Sequence, residues 1–373
     1  MNEQDVFITA IHIRKVRHID GFTIPLSETE RKHLIITGKN GSGKTSLLLA
    51  INYFFEHHLA ILKDTAGSIF KNPAIGGIRV NLSEKYSEEF LIVLFESKRT
   101  ANLHIPQGIS KIDFKKKYQS TEKINNKFIQ YIVNLKAERS FAKDDNDNET
   151  VTKIDTWFLN FENSLKVLFE TDNLQLIFDR KNYNFYIQIP NREPFTLAQL
   201  SDGYSAVITI LTELILRMEA NGNRNYEQQG IVLIDEIETH LHVALQKKVL
   251  PFLCGFFRNI QFIVTTHSPF VLSSISNAVI CDLEKREVIS EDLSGYSYSA
   301  LVESYFDVDK YSAKLKKNLA RFEYLSEKDN LNDDEQDEYD NLQEYFDNLP
   351  KFNAKELECK LQQIELKKLS RRG

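Results

Sequence analysis

The stretch "TGKNGSGKTSLLLAI" at residues 37–51 constrains the fold more than any other part of this 373-residue chain. Ahead of it, "HLIIT" (33–37) is a short apolar run of the kind that forms a buried strand. Behind it, "TSLLLAINYFFEHHLAIL" carries apolar residues at helical spacing. Residues 38–45, "GKNGSGKT", therefore fit G-x-x-x-x-G-K-[ST] between a strand and a helix, the context that gives the pattern its meaning. Glycines allow the positive φ angles that turn successive backbone N–H groups toward phosphate oxygens, and the helix N-terminus adds partial positive charge. Gly38, Asn40, Gly41, Ser42, Gly43, Lys44, Thr45 and Ser46 are thus expected to hold a nucleoside triphosphate. Lys44 would reach the β- and γ-phosphates, and Thr45 would ligate Mg²⁺.

Composition limits the alternatives. With 42% hydrophobic and 27% charged residues, the chain can bury a large core. Its three cysteines, Cys254, Cys281 and Cys359, form no C-x-x-C pair, which points away from a disulfide framework or a zinc site and toward a reducing, cytoplasmic setting. The N-terminal residues include no apolar signal region, and no window holds eighteen uncharged apolar residues, so no membrane association is expected. A net charge of −6 argues against a globally basic nucleic-acid binder.

The order of elements reads as α/β. "VFITAIHIRKVRHIDGFTIPLS" alternates apolar and polar residues about Gly21, as a β-hairpin would. Residues 62–195 read as a mixed α/β insertion, with strand-like "EEFLIVLFES", two helical stretches, a hairpin in "LQLIFDRKNYNFYIQI" and a flexible polar loop at "KDDNDNET" (143–150). From about residue 200, helix and strand alternate. An ATPase domain over residues 1–310 and a charged helical extension over 311–373 are expected.

Three further motifs carry chemistry. In "GIVLIDEIETHLH" (230–242), four apolar residues run into Asp235 and Glu236, so a buried parallel strand would deliver two carboxylates to its C-terminal end, where open α/β sheets bind ligands. Asp235 would hold Mg²⁺ through its water shell, and Glu236 would polarise the attacking water. "QLSDGYSAVITILTELIL" (199–216) reads as a capped helix whose Ser201 side chain and Gly203 amide could sense phosphate. "FIVTTHSPF" (262–270) is a strand ending near His267, whose imidazole could bond the γ-phosphate and the water.

Together the four motifs resemble the ABC-type ATPases, and more closely their soluble branch with the RecF, SMC and OLD-like AAA proteins. The likeness covers roughly residues 5–50 and 195–310. "LSDGY" resembles the ABC signature with Asp202 and Tyr204 at altered positions, "DEIETHLH" resembles the Walker B and D-loop, and "IHIRKVRHI" (11–19) resembles the opening strand, which implies that Arg17 lies near the nucleotide. Val243 stands where the family often has proline, and Gln107 in "HIPQGIS" is the candidate for its Q-loop glutamine. The resemblance implies an ABC-type P-loop NTPase with a mixed sheet, a β-rich lobe, a helical insertion and a helical C-terminal extension. It also implies a head-to-head homodimer or larger oligomer in which each ATP lies between one copy's Lys44 and another's Ser201 and Gly203.

"LVESYFDVD" and the charged helices after it resemble the C-terminal part of defence-associated ATPases typified by PtuA of the Septu and retron systems. Those families imply a separate effector partner, commonly an HNH nuclease, under control of the ATPase. Asp307 and Asp309 mimic the D-x-D of a TOPRIM nuclease, but a built-in nuclease is not expected. Residues 327–348 hold ten acids and one lysine, read as a solvated helix pair with a docking surface as the alternative. The five lysines of "KIDFKKKYQSTEK" read as a solvated face, with nucleic-acid contact as the alternative. A RecF-like DNA-repair ATPase, a transporter nucleotide-binding domain and a nucleotide-sensing scaffold with little hydrolysis remain as other readings.

Overall fold

A computed structural model describes residues 5–58, 70–72, 76–87, 89–222, 226–295, 313–328, 330–349, 357, 359–364 and 366. The chain divides into two compact units, residues 1–296 and 297–373. The first unit opens with strands β1 (Ile8–Val16), β2 (Ile19–Pro25) and β3 (His33–Thr37), then helix α1 (Lys44–His58) and strands β4 (Phe70–Asn72), β5 (Gly76–Leu82) and β6 (Leu91–Phe95). Next come α2 (Phe128–Asp144), α3 (Asn148–Phe169), a meander of β7 (Gln175–Asp179), β8 (Asn184–Gln188) and β9 (Phe195–Thr196), and the long helix α4 (Asp202–Ala220). The remainder is β10 (Gly230–Ile234), α5 (Val243–Gln246), α6 (Val249–Phe256), β11 (Ile260–Thr265), α7 (Pro269–Leu272), β12 (Ala278–Asp282) and β13 (Glu287–Ile289).

The central sheet runs β13-β12-β3-β11-β10-β6, parallel except for the antiparallel edge strand β13. Every residue of β3, β10, β11 and β12 is buried, which is why these strands read as unbroken apolar runs rather than alternating ones. A second, antiparallel sheet, β2-β1-β5-β4, forms the β-rich lobe. Between the two lies α1, and a single core joins Ile11 and Ile24 of the lobe, Leu47 and Phe55 of α1, and Ile36, Leu233 and Ile263 of the central sheet. Gln261 fastens the sheets together at one end. Its wholly buried amide accepts from Ile8 N–H at 2.7 Å and donates to the Ile8 and Lys32 carbonyls. Such a buried amide is tolerable only because its hydrogen-bonding groups find partners.

Helix α4 is the spine between sheet and insertion, buried from Ala206 to Met218. Even its charged pair is buried: Arg217 donates to Glu213 at 2.8 Å, and Glu213 also accepts the Ile124 and Asn125 N–H groups. That carboxylate pins the start of the helical insertion to α4.

Three features differ from the sequence reading. The hairpin does not turn at Gly21: β1 and β2 pair Val16 with Ile19, so the turn is Arg17-His18, and Arg17 takes the left-handed φ of 53°. Gly21 lies within β2, where it takes a φ of 57° without forming the turn. Strand β6 falls inside the stretch read as an insertion, yet it pairs with β10 and is entirely buried, so it belongs to the central sheet. The polar loop at 143–150 shrinks to residues 145–147, because α2 continues to Asp144 and Asp147 caps α3 by accepting from Thr150 N–H at 3.0 Å.

The second unit contains α8 (Ala313–Glu327) and α9 (Asp333–Asp347), joined by a small core of Leu319, Phe322, Leu325, Tyr339 and Phe346. The acids of α9 are a solvated face, with Glu338 on Arg321 and Glu335 on Lys328. Asp307 and Asp309 lie outside the described residues. Among the described residues, no helix is long and apolar enough to cross a membrane.

Candidate active site

The C-terminal ends of β3, β10 and β11 lie side by side, and the glycine-rich loop leaves β3 at Thr37 to enter α1 at Lys44. Gly38, Gly41 and Gly43 have φ values of 132°, 84° and 99°, a run of left-handed backbone that L side chains rarely adopt. Gly43 is needed twice over, since a Cβ there would stand 2.8 Å from Ile19 of the lobe. The Lys44 ammonium, inside this loop, donates to the Gly38 and Lys39 carbonyls at 2.8 and 3.0 Å. Burial lowers its pKa, only partly opposed by the nearby carboxylates of Glu236, Glu238, Asp235 and Asp282.

A pocket of 340 Å³ opens over the loop. It is lined by Asn40, Gly41, Gly43, Lys44, Thr45 and Ser46 of the loop and helix, Arg17 and His18 of the hairpin tip, Glu236 after β10, and His267 after β11. Four segments remote in sequence thus bring their polar side chains to one place.

The carboxylates are fixed by threonines. Thr45 donates to both oxygens of Asp235 at 3.0 and 3.1 Å. Thr265 donates to Asp235 at 2.7 Å and accepts the Glu236 backbone N–H at 2.7 Å, while the Thr239 hydroxyl donates to the Glu236 carboxylate at 3.1 Å. Glu236 itself sits at φ 44°. The His267 N–H donates to Glu238 at 2.5 Å, and the other oxygen of Glu238 is buried without a partner.

These residues fit MgATP on their own evidence. The buried Ser42 hydroxyl has no hydrogen-bond partner among the described residues, and the glycine cradle leaves its N–H-bearing backbone free of Cβ atoms at Gly41. The touching Thr45 and Asp235 oxygens are the hard donor set that Mg²⁺ takes.

Ser201 and Gly203 are elsewhere, at the start of α4, and neither lines the pocket. Ser201 is the N-cap residue by position, but its exposed side chain makes no cap hydrogen bond. Gly203 is buried, and a Cβ there would meet the His240 carbonyl at 2.9 Å, so close packing against the segment after Glu236 demands glycine. Tyr204, at an altered signature position, stacks on Phe169 of α3 at 4.5 Å. Gln107 is exposed and does not line the pocket.

Sequence reasoning missed three residues. His18 lines the pocket and donates from Nε2 to the Ser42 carbonyl at 3.1 Å; its place next to Arg17 in "IHIRKVRHI" was the available signal. Glu238, one residue beyond the acidic pair's neighbour, was visible in "DEIETH". Arg99 had no signal at all. It lies just past β6, buried, and donates to the backbone carbonyls of Asp235 at 2.6 Å and Glu236 at 2.8 Å.

Residues 34–273 match a family described as "AAA domain, putative AbiEii toxin, Type IV TA system". The chain belongs to this AAA domain family. Its matched region contains the loop, both carboxylates, α4 and His267, and omits the hairpin that carries Arg17 and His18. The AAA domain chain is 26% identical over 369 residues to "Septu protein PtuA" of Bacillus mycoides, a match that covers 91% of this chain and 50% of that protein. It is 34% identical over 168 residues to "Retron Ec83 probable ATPase" of Escherichia coli, covering 41% of this chain and 29% of that one. The chain thus spans about half the length, or less, of the curated relatives it matches. Among solved structures, the SMC head domain from Thermotoga maritima is similar at 14% identity with a TM-score of 0.39, covering 74% of this chain and 94% of that one.

Proposed function

We propose that the chain binds ATP with Mg²⁺, hydrolyses it, and serves as the ATPase subunit of a prokaryotic antiphage defence complex. The convergence of Lys44, the Thr45–Asp235 oxygen pair, Glu236 and His267 around one pocket carries the hydrolytic part. Lys44 exchanges the Gly38 and Lys39 carbonyls for the β- and γ-phosphates, joined by the loop amides and the N-terminus of α1. Thr45 and Asp235 are the residues that would hold Mg²⁺, which when bound would supply positive charge to the phosphate oxygens. Glu236 orients the attacking water and accepts its proton, with His267 bonding the γ-phosphate and Arg17 flanking the nucleotide.

Ser201 and Gly203 complete the site of a second copy. Ser201 is exposed and uncommitted to its own helix, and its distance from the pocket of its own chain leaves it free to cap another's phosphates. ATP then holds two copies head to head, and hydrolysis loosens them. The relatives named for Septu and retron systems support the defence role, in which this assembly regulates a separate effector such as an HNH nuclease. The test is Glu236→Gln with MgATP, followed by size exclusion with light scattering. This variant should bind ATP and accumulate as a dimer or larger oligomer; if it binds ATP and stays monomeric, the sandwich is wrong.

A further inference from the structure

Arg99 is a cation buried among carbonyls. Only 3% of it is exposed, and its guanidinium donates to four backbone oxygens: Glu96 at 2.9 Å, Asp235 at 2.6 Å, Glu236 at 2.8 Å and Ile237 at 3.2 Å. Among the described residues, no side-chain carboxylate bonds it directly. Burial lowers its pKa to about 10, opposed by the fields of Glu238, Asp235 and Glu236, so it stays charged at neutral pH. Three of its four acceptors are the successive carbonyls of the turn that leaves β10.

That turn needs holding. Glu236 has φ 44°, a backbone conformation in which an ordinary L residue is strained and which persists only when the surroundings over-determine it. The Glu236 N–H is taken by Thr265, and Arg99 takes the three carbonyls around it, so the peptide planes on both sides of the Glu236 Cα are fixed. Those planes fix where the Glu236 Cα–Cβ bond leaves the turn, and the Thr239 hydroxyl, three residues along the same turn, donates to the carboxylate at 3.1 Å.

The same segment touches α4. Ala101 N–H, two residues beyond Arg99, donates to the Ser205 hydroxyl at 2.9 Å, one helical turn from Ser201. From the far side, the His240 carbonyl packs against Gly203. The N-terminal turn of α4 is therefore held between the Arg99 segment and the chain that follows Glu236.

We infer that Arg99 is a positioning residue for Glu236, and that residues 99–101 join the Glu236 turn to the N-terminal turn of α4 as one unit. What docks on Ser201 is then felt at the carboxylate of the same chain. This rests on the pocket being an ATP site, and the experiment separates the two ideas. Full-length wild type, Arg99→Lys, Arg99→Met and Ser205→Ala are compared for binding of a fluorescent non-hydrolysable ATP analogue and for kcat and KM of MgATP turnover.

Arg99→Met should lose about 100-fold in kcat, the scale of a misplaced catalytic group, while analogue affinity stays within about threefold. Arg99→Lys, which keeps the charge but has fewer donors, should recover about tenfold of that loss, and Ser205→Ala should lower kcat without changing analogue affinity. Loss of affinity in parallel with kcat, or an unchanged kcat, in a folded Arg99 variant overturns the inference. If Arg99→Met does not fold, Arg99→Lys decides by the same split, and if neither folds the role is structural and the inference fails. A wild-type chain that does not bind the analogue instead refutes the ATP site.

Discussion

Acidifying the protein from about pH 7.5 to about pH 5 should remove roughly 2 kcal/mol of stability through one side chain, His33, by linkage of protons to unfolding. His33 begins β3, the strand that carries the phosphate loop, and is 8% exposed. Its Nδ1 accepts the Phe262 N–H of β11 at 3.1 Å, a role open only to the neutral ring. Burial, with help from Arg31, pushes its pKa from 6.5 down to about 4. In the unfolded chain His33 takes up a proton below about pH 6.5, whereas the folded chain resists until about pH 4. Between those values the unfolded state binds more protons, so stability is whole above the upper value and falls as pH drops toward the lower one. At 1.36 kcal/mol per pH unit, the full window amounts to about 3 kcal/mol.

The assay is urea unfolding followed by the fluorescence of Trp157, the chain's single tryptophan and a residue of the first unit. His33→Gln serves as the reference, because its amide oxygen can still accept the Phe262 N–H while carrying no charge at any pH. Wild type minus variant isolates His33 from the other titrating groups. If that difference stays flat within about 0.5 kcal/mol from pH 7.5 to pH 5, the buried-acceptor argument fails.

Two other substitutions probe the packing around the site. Glu213→Ala strands the buried Arg217 and the Ile124 and Asn125 N–H groups, and should cost about 3–5 kcal/mol in urea unfolding; a loss under about 1 kcal/mol contradicts the reading. Gly203→Ala drives a Cβ to 2.9 Å from the His240 carbonyl, and should lower stability by about 1–3 kcal/mol and reduce ATP turnover; wild-type values for both would show that the neighbouring backbone yields freely.

The sequence reveals features whose partners lie nearby or whose periodicity is complete. The phosphate loop declares itself because strand, glycines, lysine and helix are contiguous, and β10 with Asp235 and Glu236 because a buried parallel strand has no polar alternation. Arg99 is illegible for the opposite reason: three of its four acceptors are backbone oxygens 136 to 138 residues away, and any residue type presents a carbonyl. The hairpin turn was misplaced because Gly21 is the usual residue for a left-handed φ, while this chain puts Arg17 there and so aims a cation at the pocket. Strand β6 was assigned to the insertion since its buried run resembles any other until its pairing with β10 is known.

The antiparallel lobe delivers two residues to the pocket at the end of one long strand. Strand β1 is anchored at Ile8, where both main-chain groups bond Gln261, and it ends at Arg17 and His18 over the phosphate loop. Nine residues of strand make an arm of about 30 Å, so a rotation of about 4° at the Gln261 pivot sweeps the tip by about 2 Å. A displacement of that size would part His18 from the Ser42 carbonyl, so the packing of Ile19 against Gly43 at the same tip is what keeps the hairpin seated on the phosphate loop.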